Sequence, residues 1–472
     1  MSCRSRAIGL ALLACLGVAV CLRAAGATYD ISLDVDYAAG SFRGEEVLRY
    51  VNETDIPQEG IFFRLYANAA SLYGSAAIEV TSAQVDGQLV TPSLFEEDTV
   101  LFVPLPVAAA PGDSVQVDLV FRGHAAHTTA TGFATSTEYG LLAKSSGVLT
   151  LTAFYPALAP YTEEGWDIDP PTPFGDLVFS DAATYAVSLV TGADVTVIPA
   201  ADTSTLEPDG RTRRTFVRDG IRDFPLVLSG DGREPLEATA SGVTVRAWFS
   251  PLHGSAATVA LGRGAAAVDV YTALFGPLPY ATVDIVEAPL QGAAGVECSG
   301  LFLVAESNAA NPGDPFFDII VAHEMAHQWF YAAVGSDPIE EPWLDEALAT
   351  YASNVFLAVA VSETTAQSER AGWATHYERA KTSSPTVRPT SPVYDFPDIT
   401  TYSLFVYSGG ALDLEALRLE LGDDAFFAGL ADYYMTERLH IATASDLLAS
   451  FQRACSCWPA NELFETGPLE GP

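Results

Sequence analysis

The run Val321-Ala322-His323-Glu324-Met325-Ala326-His327-Gln328-Trp329-Phe330 decides the reading of this 472-residue chain. Its spacing predicts a helix in which Asp314 is the N-cap, Pro315 occupies the first turn and Gly335 is placed to end it. His323 and His327 stand at i and i+4, so both imidazoles leave one face about one turn apart. That separation lets two nitrogens bind one zinc at ~2.0–2.1 Å. Glu324 is rotated by about 100° around the helix. It is near such a metal, less suited to bind it, and placed to take a proton from water. Two histidines on a semi-apolar face also fit a core helix satisfied by packing. Ile319, Ile320, Val321, Ala322, Ala326, Trp329 and Phe330 make this helix apolar on most sides, hence buried. Its polar groups then need partners, and a metal satisfies them better than packing does.

A third ligand is required. The chain passes a loop containing Gly335, Asp337 and Pro338 and re-enters a helix at Pro342-Trp343-Leu344-Asp345-Glu346-Ala347-Leu348. Glu346 lies among Leu344, Ala347, Leu348 and Tyr351, where a carboxylate without a cation would be costly. Two histidines and one carboxylate leave a fourth position for water, the pattern of catalytic rather than structural zinc.

His323-Glu324, His327 and, after the intervening residues 328–345, Glu346 resemble the gluzincin signature of the aminopeptidase N family, to which leukotriene A hydrolase also belongs. The flanks His327-Gln328-Trp329-Phe330 and Trp343-Leu344-Asp345-Glu346 are similar to that family's. Upstream, Ala294-Gly295-Val296-Glu297-Cys298 resembles its exopeptidase box. Downstream, Val406-Tyr407-Ser408-Gly409-Gly410-Ala411 resembles the segment that carries the transition-state tyrosine.

The resemblance implies Zn2+ held by His323, His327 and Glu346, with Glu324 as base. Glu297 would bind the substrate's free α-amine, and Tyr407 would donate a hydrogen bond to the oxyanion. The strand Leu301 to Val304 would hold the peptide backbone by edge pairing. It implies hydrolysis of peptide bonds, chiefly release of N-terminal residues. An open-cleft endopeptidase and a catalytically silent surface or binding protein are the alternatives. There are departures. Cys298 and Val296 stand where the box has Asn and Met, Gly409 replaces a Lys, and Asp345-Glu346-Ala347 replaces Asn-Glu-Gly. No second acidic residue for the amine is evident at Phe154-Tyr155-Pro156-Ala157, where one is sought. A short form without the large C-terminal helical domain of longer relatives is expected.

Outward from the motif, Thr28 to about Pro235 reads as β. Tyr29, Ile31, Leu33, Val35 and Tyr37 alternate with polar residues, as do Val115, Val117, Leu119 and Phe121. Pro111-Gly112-Asp113 and Pro208-Asp209-Gly210 mark turns. A helix is expected over 256–275, strands over 280–287 and 301–304, and further helices at 342–358, 365–381, 405–421, 424–438 and 443–454. The expected class is α+β: an N-terminal all-β saddle or sandwich at 28–235, then a thermolysin-like, mainly helical zinc catalytic domain at 236–464. Residues 465–472 read as a disordered tail.

Asp and Glu number 60 against 23 Lys and Arg, a net charge of −37. Such a surface repels phosphate backbones, which disfavours nucleic-acid binding and leaves peptides or proteins as the expected partners. The bland reading is a solvated acidic coat. Arg4, Arg6, the apolar run Ile8 to Leu22 and Ala25-Gly26-Ala27 read as a signal peptide over 1–27. The run is too short to span a bilayer comfortably, and no transmembrane span is expected after cleavage. The expected location is periplasmic or extracellular. Leu12-Leu13-Ala14-Cys15 offers a lipoprotein tether as the second reading. Cys298, Cys455 and Cys457 remain after cleavage and read as ordinary buried thiols rather than a disulfide framework.

Overall fold

The computed structural model describes residues 26–127 and 139–455. Nearly all of the expected signal segment lies outside the described residues, as do the tail 465–472 and Cys457. Strand Thr28–Asp36 alternates buried and exposed at every position, with Asp30, Asp34 and Asp36 outward. It sits inside an eight-stranded sheet, parallel to Ala183–Gly192 and antiparallel to Ser41–Val51. The inner face of that sheet packs on a four-stranded sheet centred on Gln58–Arg64 and Val100–Ala109, and on a five-stranded one containing Val148–Leu151 and Leu226–Ser229. Period-two burial thus gives the β layers their common core.

A further five-stranded sheet begins at Leu236 and runs in the order Leu236–Ala240, Val243–Trp248, Thr282–Ala288, Leu301–Ala305, Gly295–Cys298. Both its faces are covered. Val286, Leu301 and Leu303 join the core of the β domain, whereas Val283, Ile285, Phe302 and Val304 join the helical core. Burial on two sides is why these strands read as continuous apolar runs. Leu301–Ala305 is therefore interior, paired on both sides, and cannot take a substrate strand. The edge strand beside it is Gly295–Cys298, which corrects the expectation from sequence.

Helix Gly254–Phe275 packs across the sheet and against Pro315–Ala326, which in turn packs on Trp343–Phe356. Among the described residues, one helical stretch is long and apolar enough to cross a membrane, Trp343–Val361, and it is mostly buried inside this core.

The histidine helix ends at Ala326 rather than near Gly335. Asp314 caps it, accepting from Phe316 N. Residues 327–334 fold into a tight turn, with Ala332 N donating to His327 O, Val334 N to Trp329 O, and Tyr331 at φ 129°. Arg222, from the β domain, is 2% exposed and holds this turn. Its guanidinium donates to the carbonyls of Ser180 (3.0 Å), Tyr331 (2.9 Å), Ala333 (3.1 Å) and His440 (2.5 Å). A side chain at Gly335 would place its Cβ 2.4 Å from the guanidinium carbon, so a glycine is needed there for close approach rather than as a helix stop. Cys455 is disulfide-bonded, contrary to the expectation of an ordinary thiol, and Cys298 is the free cysteine among the described residues.

Candidate metal centre and active site

His323 and His327, at the end of their helix, point at Glu346 in the first turn of Trp343–Phe356. The two Nε2 atoms are 3.0 Å apart, and Glu346 Oε2 lies 3.1 Å from one and 3.4 Å from the other. Tetrahedral ligands at ~2.0–2.1 Å from a zinc lie about 3.3 Å from each other. Two imidazole lone pairs meeting this closely repel unless a proton or a cation lies between them. Geometry and donor chemistry both fit a divalent metal of borderline softness.

The shell behind the ligands is built. His327 Nδ1 meets Phe330 O at 3.1 Å and Asp345 Oδ1 at 2.5 Å, leaving Nε2 as the metal-facing nitrogen. The sequence reading gives Asp345 no role of its own. Its position directly before Glu346, on a helix facing the histidines, is the signal that finds it. Burial pushes its carboxyl up to about 6, against the pull of His327. Burial also opposes ionisation of Glu346, but its bonds to both imidazoles win and hold it below the ordinary carboxylate range.

Glu324 is buried, and its Oε2 has no hydrogen-bond partner. Burial raises its pKa well above the usual value, and the charges of Glu297, Glu346 and Asp345 add to this against His327. Gly295 makes room for it, since a Cβ there would lie 2.3 Å from Glu324 Oε1. Glu297, Glu324 and His327 bring ligand-type atoms within 4.8 Å of one another. Glu297 is pushed up to about 8, chiefly by burial and then by neighbouring carboxylates, while His327 pulls it down. A dication at the three-ligand point would reverse the local sign for all of them.

Gln328 ties the two motifs together. Its Nε2 donates to Cys298 O at 3.0 Å and its Oε1 accepts from Gly300 N at 2.9 Å. Asp223 of the β domain accepts from Ser299 N at 2.8 Å, so the turn after Glu297 is clamped from both domains.

Tyr407 arrives on a π-helical stretch, Leu404–Gly409, inserted between Ile399–Ser403 and Gly410–Leu421 where a single α-helix was expected. Such insertions recur at functional sites. Its ring stacks on His323 at 5.9 Å, and its hydroxyl donates to Glu346 Oε1.

All six residues singled out from sequence line or adjoin one cleft of about 380 Å³. Two that sequence reading missed share it. Asp176 enters from the β domain beside Glu297 and Tyr139, and Glu369 comes from helix Glu363–Ser383. The stretch Phe154–Ala157, where an acidic residue was sought, is buried in the β core, with Tyr155 Oη 3.1 Å from Tyr185 Oη. Asp176 sits on a Pro-Phe-Gly-Asp turn with no periodic signal, and only the domain packing reveals its aim.

A β-layered domain joined to a helical domain that presents two histidines and a glutamate beside an orphaned carboxylate defines a metal-site protein of the thermolysin-like class. Residues 264–465 match the family model described as the Peptidase family M1 domain. The second domain is thus similar to that of peptidase family M1, which includes the aminopeptidases N. Aminopeptidase M1 of Arabidopsis thaliana is 25% identical over 93% of this chain and 49% of its own length. Probable aminopeptidase 2 of Sulfurisphaera tokodaii is 32% identical over 30% of this chain and 19% of its own. The chain spans about half the length of the Arabidopsis relative. The solved M1 zinc metallopeptidase from Deinococcus radiodurans shares the fold, with TM-score 0.66 and 23% identity over 91% of this chain and 90% of that one.

Proposed function

We propose that the chain is a zinc-dependent peptidase that removes residues from the free N-termini of peptides. The observation that carries this reading is the convergence of His323, His327 and Glu346 beside the unpartnered, buried Glu324 Oε2, in the same cleft as Glu297. His323 Nε2, His327 Nε2 and Glu346 would hold the ion, which supplies a Lewis acid for the scissile carbonyl and lowers the pKa of water. Glu324 takes the proton of the attacking water and returns it to the leaving amine. Tyr407 exchanges its bond to Glu346 for one to the substrate oxygen as charge develops there. Glu297 holds the α-ammonium, with Asp176 facing it from the β domain. The outer edge of Gly295–Cys298 pairs with the substrate backbone.

Peptides with free and acetylated N-termini test this, with Glu324→Gln as the control. Cleavage of the free form alone, abolished by a chelator and in the variant, is expected. Equal cleavage of both forms rejects the aminopeptidase reading in favour of an endopeptidase. We also propose export. The support is the basic start, the short apolar run and the small residues before Thr28, with Cys15 as an alternative lipid site. Processing between Ala27 and Thr28, read by mass spectrometry of the secreted protein, is the check.

A further inference from the structure

With the α-ammonium at Glu297 and Asp176 and the scissile carbonyl at the three-ligand point, the leaving side of the substrate enters the arm of the cleft beyond His323 and Glu346. Two facing helix stripes define that arm. From His323, the residues Ile320, Ile319 and Phe316 recede along helix Pro315–Ala326 at i−3, i−4 and i−7. From Glu346, Thr350 and Ser353 recede at i+4 and i+7 along helix Trp343–Phe356. Seven residues of helix make the arm on the order of 10 Å deep, the reach of one large side chain.

The chemistry of this arm is one-sided. Phe316, Ile319, Ile320, Trp373 and Ile399 give it apolar walls, and Thr350 and Ser353 are small and leave room above them. Glu369 also lines it, but Asn354 Nδ2 donates to its Oε2 at 2.6 Å and Arg370 offsets its charge. No lysine or arginine lines the cleft, so an acidic side chain finds no partner there and meets Glu346 and Glu369 instead. Phe316 and Ile399 are 47% and 39% exposed, apolar surface that a bound side chain takes out of water.

We propose that this arm receives the side chain of the substrate's second residue, the one that follows the scissile bond, and that Phe316, Ile319, Trp373 and Ile399 select a large apolar side chain there. The inference rests on the aminopeptidase reading and adds a preference on the leaving side of the bond.

The test uses the full chain loaded with zinc and the tripeptides Ala-Phe-Ala, Ala-Leu-Ala, Ala-Gly-Ala and Ala-Asp-Ala, with initial release of alanine as the readout. The kcat/KM values for the phenylalanine and leucine peptides should exceed that for the glycine peptide by about 10–100-fold, the size of burying one large apolar side chain. Ala-Asp-Ala should be the poorest substrate. In Phe316→Ala and in Trp373→Ala the ratio of Ala-Phe-Ala to Ala-Gly-Ala should fall, with thermal unfolding as the check that each variant is folded. Ile399→Arg supplies a gain that misfolding cannot mimic: Ala-Asp-Ala should improve relative to Ala-Phe-Ala. Glycine accepted as well as phenylalanine, or a preference unchanged in all three variants, overturns the assignment of this arm while leaving the peptidase reading intact. Failure to cleave any of the four peptides overturns both.

Discussion

Arg222→Met attacks the joint between the two domains. All four partners of the guanidinium are backbone carbonyls from three separate stretches, at 2.5–3.1 Å, and methionine can satisfy none of them. Ala333 O and His440 O keep the backbone donors Leu439 N and Gly335 N, so Ser180 O and Tyr331 O are the acceptors left unpaired. At ~1–3 kcal/mol each, this brackets a loss of ~2–6 kcal/mol. The variant recovers the desolvation of a buried guanidinium, so the low end applies, about 2 kcal/mol. That is roughly a thirtyfold change in the folding constant. Urea unfolding followed by tryptophan fluorescence should show a lower midpoint at similar slope. Tyr331 is held at φ 129° by the same contacts, so the turn behind His327 should loosen and metal affinity should fall as well. Arg222→Lys should recover less than half the loss, since one ammonium cannot span the four carbonyls. A loss below about 1 kcal/mol in Arg222→Met would refute this account of the joint, because it is smaller than the cost of a single orphaned carbonyl.

Asp345→Asn should weaken zinc binding by ~10–100-fold, measured by chelator competition, because the carboxylate orients His327 from behind. Tyr407→Phe should lower kcat by ~10²–10³ with little change in zinc content, as expected for one lost oxyanion donor. Glu46 is 1% exposed with neither carboxylate oxygen bonded, and burial raises its pKa well above 4.5. The folded state therefore keeps this proton while the unfolded chain loses it, so the contribution of Glu46 to stability is fullest below pH 4.5 and declines as pH rises toward the folded pKa. Glu46→Gln should remove that decline, which makes the variant more stable than wild type at pH 7 and comparable to it near pH 4; identical pH profiles would refute the reading.

The β domain and the histidine pair were legible because their signals are periodic: alternation of two for strand Thr28–Asp36, and a one-turn spacing for His323 and His327. What stayed hidden depends on tertiary packing. Nothing local distinguishes an edge strand from an interior one, so Leu301–Ala305 and Gly295–Cys298 exchange roles only once the sheet order is known. The histidine helix stops early because Arg222, far off in sequence, captures the carbonyls of the turn that follows. The π-helical stretch at Tyr407 has the composition of an α-helix. Asp176 and Glu369 sit in unpatterned context and acquire meaning from the cleft they enter.

The central claim concerns one point in space, where two imidazoles and a carboxylate meet. Diffraction from zinc-soaked crystals, recorded at the zinc absorption edge, tests it most directly. The account predicts a single strong anomalous peak ~2.0–2.2 Å from His323 Nε2, His327 Nε2 and a Glu346 oxygen. A peak bound elsewhere, or none at these three atoms in zinc-saturated protein, would contradict it.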